Sequence, residues 1–339
     1  MDNPEHQVED LAQWWKMINS LSERILAVLL CLSVKLEFLL LRKRDGYHYK
    51  TLGRIMERAR REHRSMGPIL PEFSTFYLQR VRDPDVYGES DIAVPPELCN
   101  LGNFTQLHIW RDKGRHIFMN DLSWLRRIKE LKLVSCIHVR DMYRICEEAI
   151  SLESLSLMMT KVGVFRNRRP PAGKDLNNAL ALRADTLKVL EIRIRRDPAL
   201  LRQLGDSERL ECLPWLSKLE ELTTEIPLIF VLDKDIAPDV PIPYKLPRNI
   251  VSLNLIEWPW QYHHLPKQKA LAKAVFNALI SASRFELPKL KKLHFSHRYL
   301  ESCLDLDELE EIKSSVDPNV LSFSYKQDMI PQGYLEPNL

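Results

Sequence analysis

The residues best suited to chemistry in this sequence are its histidines and cysteines, and their spacing argues against a reactive site. His294-x-x-His297 and His263-His264 are the closest histidine pairs, but neither has a third metal ligand nearby in sequence. The six cysteines form no Cys-x-x-Cys pair, which zinc and dithiol redox sites use. We therefore predict surface histidines, reduced thiols and no bound metal.

Signatures of other enzyme classes are also missing from the sequence. The ten glycines form no glycine-rich phosphate loop and no Gly-x-Ser-x-Gly elbow. We interpret Cys136, which follows a strand-like segment, as a buried structural thiol. The sequence thus contains no catalytic constellation, and we predict a protein that is not an enzyme and needs no cofactor.

The remaining candidates for function are side chains that could bind another protein. Lys132 lies between Leu131 and Leu133, and alternate side chains of a strand point to opposite faces, so Lys132 faces away from the core. Equivalent positions elsewhere predict a stripe across a sheet, flanked by Trp110 and Arg193, residue types that often anchor interfaces. For each residue the alternative is that it only solvates the sheet. The predicted partner-binding stripe consists of Tyr77, His108, Lys132, Ser156, Glu191, Thr223, Asn254 and His294.

A recurring sequence motif must place the residues of this stripe in one row. Residues 125–136 read LRRIKELKLVSC, with apolar residues at Ile128, Leu131 and Leu133. One such unit buries only one face, so it needs a copy on each side. Looser copies recur at intervals of 24 to 40 residues, and they contain Leu36/Leu39/Leu41, Phe73/Phe76/Leu78, Phe104/Leu107/Ile109, Leu152/Leu155/Leu157, Leu187/Leu190/Ile192, Leu219/Leu222/Thr224, Ile250/Leu253/Leu255 and Leu290/Leu293/Phe295.

These repeats predict an α/β fold, an irregular leucine-rich-repeat solenoid. Its parallel sheet lies on the concave side, and helices and loops lie on the convex side. Leu-Pro pairs such as Leu246-Pro247 and Leu287-Pro288 precede several units, where proline ends a helix and favours an extended chain. The alternative is a set of unrelated amphipathic segments, but the Leu-x-Leu endings favour strands.

The predicted organisation is a polar leader over residues 1–20, a solenoid over 21–325 and a tail over 326–339. Loop insertions are expected near residues 82–100, 161–175 and 233–247. The most apolar stretch, residues 21–41, is interrupted by Ser33, Lys35 and Glu37. We therefore predict a buried helix up to about Leu32 followed by a strand, and no membrane span. Further helices are expected over 139–150, 266–283 and 301–317, with a last strand at Leu321 and Phe323.

A basic segment offers a second kind of surface. Residues 42–64 hold nine Lys or Arg against three acids, and their apolar residues, including Leu52 and Met56, recur at helical spacing. This pattern predicts an amphipathic helix with a cationic outer face. We expect this cationic face only to contact solvent, because a net charge of +3 does not by itself indicate nucleic-acid binding. Nucleic-acid binding through this helix is kept as an alternative.

In their order, the units resemble the leucine-rich-repeat region of fungal F-box proteins. The resemblance implies a non-enzymatic scaffold that binds a protein on its concave surface. The F-box module itself is not detected. The resemblance also implies an alternative function, as a substrate-recognition subunit of a Skp–cullin–F-box ubiquitin ligase that is bound by a Skp-type adaptor. With scattered cysteines and no signal peptide, we expect a cytoplasmic or nuclear protein. The segments that carry the resemblance are RIKELKLVSC (127–136), AISLESLSL (149–157), ADTLKVLEI (184–192), LPWLSKLEELTTEIPL (213–228), LPRNIVSLNL (246–255) and LPKLKKLHF (287–295).

Overall fold

Ten parallel strands form one sheet, and their order in space follows their order along the chain. The strands belong to a computed structural model of the 339-residue chain. It describes residues 21–30, 33, 35–43, 50–62, 70, 72–80, 104–112, 122–135, 139–159, 173–194, 209–230, 245–257, 265–297 and 304–327.

Each of the nine predicted units contributes one strand to this sheet, so that prediction is confirmed. The predicted last strand is also present, and it continues two residues past the predicted end of the solenoid at residue 325. The strands are β1 (Phe38–Lys43), β2 (Thr75–Arg80), β3 (Gln106–Asp112), β4 (Glu130–Ser135), β5 (Ser154–Met159), β6 (Val189–Ile194), β7 (Glu221–Glu225), β8 (Ser252–Ile256), β9 (Lys292–His297) and β10 (Ser322–Gln327).

The same pattern of backbone hydrogen bonds connects neighbouring units. The carbonyl of Lys129, just before β4, accepts the amides of Glu153 and Ser154, both at 2.8 Å. The carbonyl of Glu153 then accepts the amides of the following unit, at Lys188 and Val189. This pattern of one carbonyl and two amides recurs from β1 to β9, and its hydrogen bonds hold neighbouring units in register.

The core lies on the inward face of the sheet. Leu131 and Leu133 are buried, and their Cα partners on β5, Leu155 and Leu157, are buried as well. Thr224 on β7 takes an aliphatic position of this core and is fully buried. Burying a stack of such side chains on one face is what makes the units depend on their neighbours.

Aromatic rings fill the core towards both ends of the sheet. Phe104 packs against Phe73 and Phe76, with ring centroids 5.3 and 5.6 Å apart. Phe276 packs against Phe295 and Phe323 at 5.3 and 5.5 Å. Aromatic pairs at these separations add to the stability that area burial provides.

Helices and short turns connect the strands, and the predicted helices are confirmed with shifted ends. Residues 42 and 43 belong to β1 instead of the basic helix, which begins at Lys50. Residues 173–175, predicted as loop, begin a helix instead. The helices are α1 (residues 21–30), α2 (Lys50–Glu62), α3 (Val139–Glu148), α4 (Gly173–Ala181), α5 (Leu265–Phe285) and α6 (Leu306–Ser315), with 3-10 turns at Ser123–Arg127, Leu213–Trp215 and Ile226–Leu228.

The prediction that α1 is buried is wrong for one of its faces. Ala27 and Leu30 are buried, whereas Ile25 and Val28 are more than half exposed. The physical reason is position, because the first unit of a stack has a neighbour on one side only. Ile150 lies inside the helix predicted over residues 139–150, but it is half-exposed, since α3 ends at Glu148 and the residue lies in the following turn.

Several sequence predictions lie outside the described residues. These are the leader over 1–20, the insertion near 82–100, residues 161–172 and 233–244 of the other two insertions, the thiol at Cys136, the pair His263-His264 and the tail from residue 328 onward.

Candidate protein-interaction surface

One outward residue from each of eight neighbouring strands lies in a continuous row across the sheet. Tyr77 pairs with His108, and His108 pairs with Lys132, as Cα partners on adjacent strands. The row continues without a gap to Asn254 and His294. We call this row the outward stripe; it contains the eight predicted residues Tyr77, His108, Lys132, Ser156, Glu191, Thr223, Asn254 and His294, and Ser324 on β10 extends it.

At the β2–β4 end, the stripe is held by an aromatic contact and a charged cluster. The rings of Tyr77 and His108 meet edge to face, with centroids 4.7 Å apart. Glu130 Oε1 lies 3.1 Å from His108 Nε2 and 2.7 Å from Lys132 Nζ. These contacts, with the His108 hydrogen bond first, lower the pKa of Glu130 from 4.5 to about 2. Glu130 therefore carries a fixed negative charge between two stripe residues.

In the middle of the stripe, hydrogen bonds cross from strand to strand. Ser156 Oγ on β5 donates to Glu191 Oε2 on β6 at 2.7 Å. The other oxygen of that carboxylate pairs with Arg193, two residues along the same strand. Only 11% of the Arg193 side chain is exposed, so its guanidinium meets solvent less than a free interface anchor would.

Polar contacts continue along the β8–β10 end. Ser296 Oγ on β9 donates to Asn254 Oδ1 on β8 at 2.9 Å. His294 Nδ1 and Ser324 Oγ are 2.8 Å apart, which links β9 to β10. The predicted outward position of His294 is thus observed. The stripe as a whole presents donors and acceptors that are already held in place, and such preorganisation lowers the entropy cost of binding.

An outward row near the carboxyl ends of the strands is closed to solvent. Val134 and Met158 are Cα partners two residues beyond the stripe on the same face, and both are buried without belonging to the core on the inward side. Ile256 on β8 is likewise buried and does not belong to the core on the inward side. What is accessible on the outward face therefore belongs to the stripe and to the row on its amino-terminal side. His108 and Ser156 in the stripe are themselves buried, at 6% and 5% exposure, and so is Thr75 in the amino-terminal row.

The structure brings Trp110 and Arg193 to this buried row instead of the stripe. Trp110 lies on β3 with Gln79 and Val134 as its Cα partners, and its side chain is outside the described residues. Arg193 has Met158 as its partner. Sequence reasoning missed Glu130 and Ser324. Counting one further unit would have found Ser324, but only the cross-strand contact reveals Glu130.

The chemistry of the described residues includes no candidate metal centre. No group of three or more His, Cys, Asp or Glu side chains could hold an ion within them. Cys146 and Cys212 are both buried, and burial raises the pKa of each thiol to about 12. Thiols with such a pKa stay protonated at neutral pH and are poor nucleophiles.

The basic helix α2 neutralises part of its own charge. Arg58 Nε lies 2.7 Å from Glu62 Oε1, and Arg61 Nε lies 3.1 Å from Glu57 Oε1, both one helical turn away. Leu52 and Met56 are fully buried, which confirms the predicted apolar face. Two of its cations are therefore already engaged by carboxylates.

Among the described helices, none combines the length and the apolar character that crossing a bilayer demands. Comparisons with family models, with curated proteins and with solved structures found no match to this chain. The fold and surface therefore define an α/β protein with a ten-stranded parallel sheet and an ordered polar stripe.

Proposed function

We propose that the chain is a leucine-rich-repeat solenoid and a non-enzymatic scaffold that binds a protein partner on the outward stripe. The observation that carries this proposal is the unbroken register of the stripe from Tyr77 to His294. Parallel strands stacked in this manner curve, and the proposed binding face is the concave one.

The proposal is supported by the kind of side chains that the stripe presents. They are polar, they differ from strand to strand, and several are held by contacts such as Ser156–Glu191 and Asn254–Ser296. A surface that only needed to be soluble would not require such fixed side chains. Different residues at successive strands can select one partner surface over another.

The test uses the partner recovered by the full-length wild-type chain in a quantitative pull-down. Thr223→Arg places a long cation at the centre of the stripe, between Glu191 and Asn254 in register. We expect its recovery of the partner to fall about tenfold or more, as for a central interface residue. In the same assay, the double variant Trp110→Ala/Arg193→Ala tests the two residues that were predicted to flank the stripe.

The matched control is Tyr143→Arg on α3, an exposed residue on a connecting helix. It should leave recovery unchanged, and circular dichroism should show that both variants keep the wild-type fold. Equal recovery by wild type and Thr223→Arg, or a loss with Tyr143→Arg alone, would contradict binding on the stripe.

A further inference from the structure

A second surface lies at the amino ends of β7, β8 and β9, away from the outward stripe. Its centre is formed by Trp215 and Phe285, which are 67% and 85% exposed. Large apolar side chains are normally buried, and exposed aromatic residues held on a rigid surface are typical interface anchors. We call Trp215, Lys218, Arg248, Phe285 and Lys289 the amino-edge surface.

Buried residues anchor the turns that carry this surface. Trp215 lies in a 3-10 turn between Leu213 and Leu216, both fully buried, so its own side chain is directed outward. Phe285 is the last residue of α5 and is followed by the buried Leu287. Exposure of the two rings thus follows from anchored backbone on both sides.

Hydrogen bonds tie the three turns to one another. Asn249, before β8, donates through Nδ2 to the carbonyl of Ser217, before β7, at 2.5 Å. Its Oδ1 accepts from Lys289 Nζ, before β9, at 2.8 Å. A single asparagine therefore links the turn that carries Trp215 to the turn that follows Phe285.

The charge around the two rings is mostly positive. Lys218 and Arg248 are exposed, as is Lys289. In the three segments 213–221, 246–252 and 284–292, exposed cations outnumber exposed carboxylates by six to three. The cations are Lys218, Arg248, Arg284, Lys289, Lys291 and Lys292, and the carboxylates are Glu220, Glu221 and Glu286.

We propose that the amino-edge surface binds an acidic amphipathic helix of a partner protein, with Trp215 and Phe285 receiving its apolar side chains. Strands β7 and β9 lie two steps apart, about 10 Å at the usual strand spacing. Residues i and i+7 of a helix are also about 10 Å apart, which matches the separation of the two strands that follow Trp215 and Phe285. Glutamates or aspartates beside that face would then meet Lys218 and Arg248.

The three carboxylates favour a protein over a nucleic acid. Glu220, Glu221 and Glu286 lie among the cations, and each would repel a nearby phosphate group. A protein segment can place its own polar or cationic residues beside them. The mixed charge thus fits a partner of mixed composition better than a uniform polyanion.

The experiment selects ligands for the full-length chain from random peptides of about 16 residues, roughly four helical turns, displayed on phage. The expected peptides are rich in Asp and Glu, with apolar residues at spacings of three, four and seven. Their affinity, measured by fluorescence anisotropy, should fall about tenfold in the Trp215→Ala/Phe285→Ala variant. It should stay unchanged in Leu306→Ala, an equally exposed site on α6, and in Thr223→Arg on the stripe.

Three results would overturn the proposal. Selection could yield no peptide, or peptides without an acidic and apolar pattern. The selected peptides could bind the double variant as tightly as the wild type. A labelled oligothymidine could bind the wild type but not the double variant, which would assign the surface to single-stranded nucleic acid.

Discussion

At the scale of single residues, two polar side chains depart from the apolar pattern of the strands in ways that can be tested, one in the core and one on the outward face. Thr224 takes the inward position at which the strands from β1 to β6 and β8 have an aliphatic residue and β9 has Phe295, and it is fully buried. Glu130 holds a charge between His108 and Lys132 on the outward face. The first exception costs stability, whereas the second contributes to it.

Replacing Thr224 by valine should stabilise the protein. Within the described part of the chain, its buried Oγ1 has no hydrogen-bond partner, so the hydroxyl loses hydration without compensation. We expect Thr224→Val to raise the free energy of unfolding by about 1 kcal/mol in a urea titration. Thr223→Val, on the outward face of the same strand, is the control and should change little. A lower stability for Thr224→Val would show that the hydroxyl is satisfied.

The Glu130 cluster should make stability depend on acid. Because the folded-state pKa is about 2 and the ordinary value is 4.5, the contribution is present above about pH 4.5 and is lost as the pH falls towards 2. Glu130→Gln should remove it, worth about 1 kcal/mol at neutral pH after allowance for solvent screening. The variant and the wild type should then converge as the pH approaches 2.

Chemical unfolding at a series of pH values checks this dependence. Glu221→Gln is the matched control, because Glu221 takes the equivalent position on β7 and is exposed. A constant difference between wild type and Glu130→Gln from neutral pH down to 2 would contradict the assigned cluster.

At the scale of elements, the sequence predicted most strands and helices but not their ends. The strands follow from Leu-x-Leu pairs such as Leu253 and Leu255, because only one register buries both residues. The end of α3 before Ile150 was missed, since caps and turns depend on backbone hydrogen bonds. Helix α4 was missed as a whole, because its first residues were assigned to a loop insertion. The contact of Glu130 with His108 was missed because it joins residues on different strands.

Helix α6 has the clearest capping signal among the described elements. Asp305 Oδ1 accepts the Glu308 amide at 2.9 Å, and Glu308 Oε2 accepts the Asp305 amide at 3.1 Å. We expect Asp305→Ala to speed amide exchange in the first turn of α6 several-fold, as measured by hydrogen exchange. Asp305→Asn keeps a capping oxygen and should stay close to wild type. Equal exchange in all three proteins would mean that the cap does not hold the helix.

At the scale of the whole molecule, one repeated pattern of backbone hydrogen bonds organises the chain. From β1 to β8, the carbonyl before each strand accepts two amides of the next unit, so the strands lie side by side and their outward residues fall into rows. Leucine periodicity predicted which residues share the row. It could not predict that Val134 and Met158, on the same face, are buried, because that burial depends on other parts of the fold. The ligase-subunit and nucleic-acid alternatives stay predictions.

The register of the outward stripe is tested most directly by oxidative cross-linking of paired cysteines. Thr223 and Asn254 are Cα partners on adjacent strands, and neighbouring strands are about 4.8 Å apart, within reach of a disulfide. We predict that Thr223→Cys/Asn254→Cys forms an intramolecular disulfide, identified by mass spectrometry. The offset pair Thr223→Cys/Ser252→Cys should form it far more slowly. Efficient cross-linking of the offset pair, with little of the in-register pair, would contradict the stripe on which the proposed function rests.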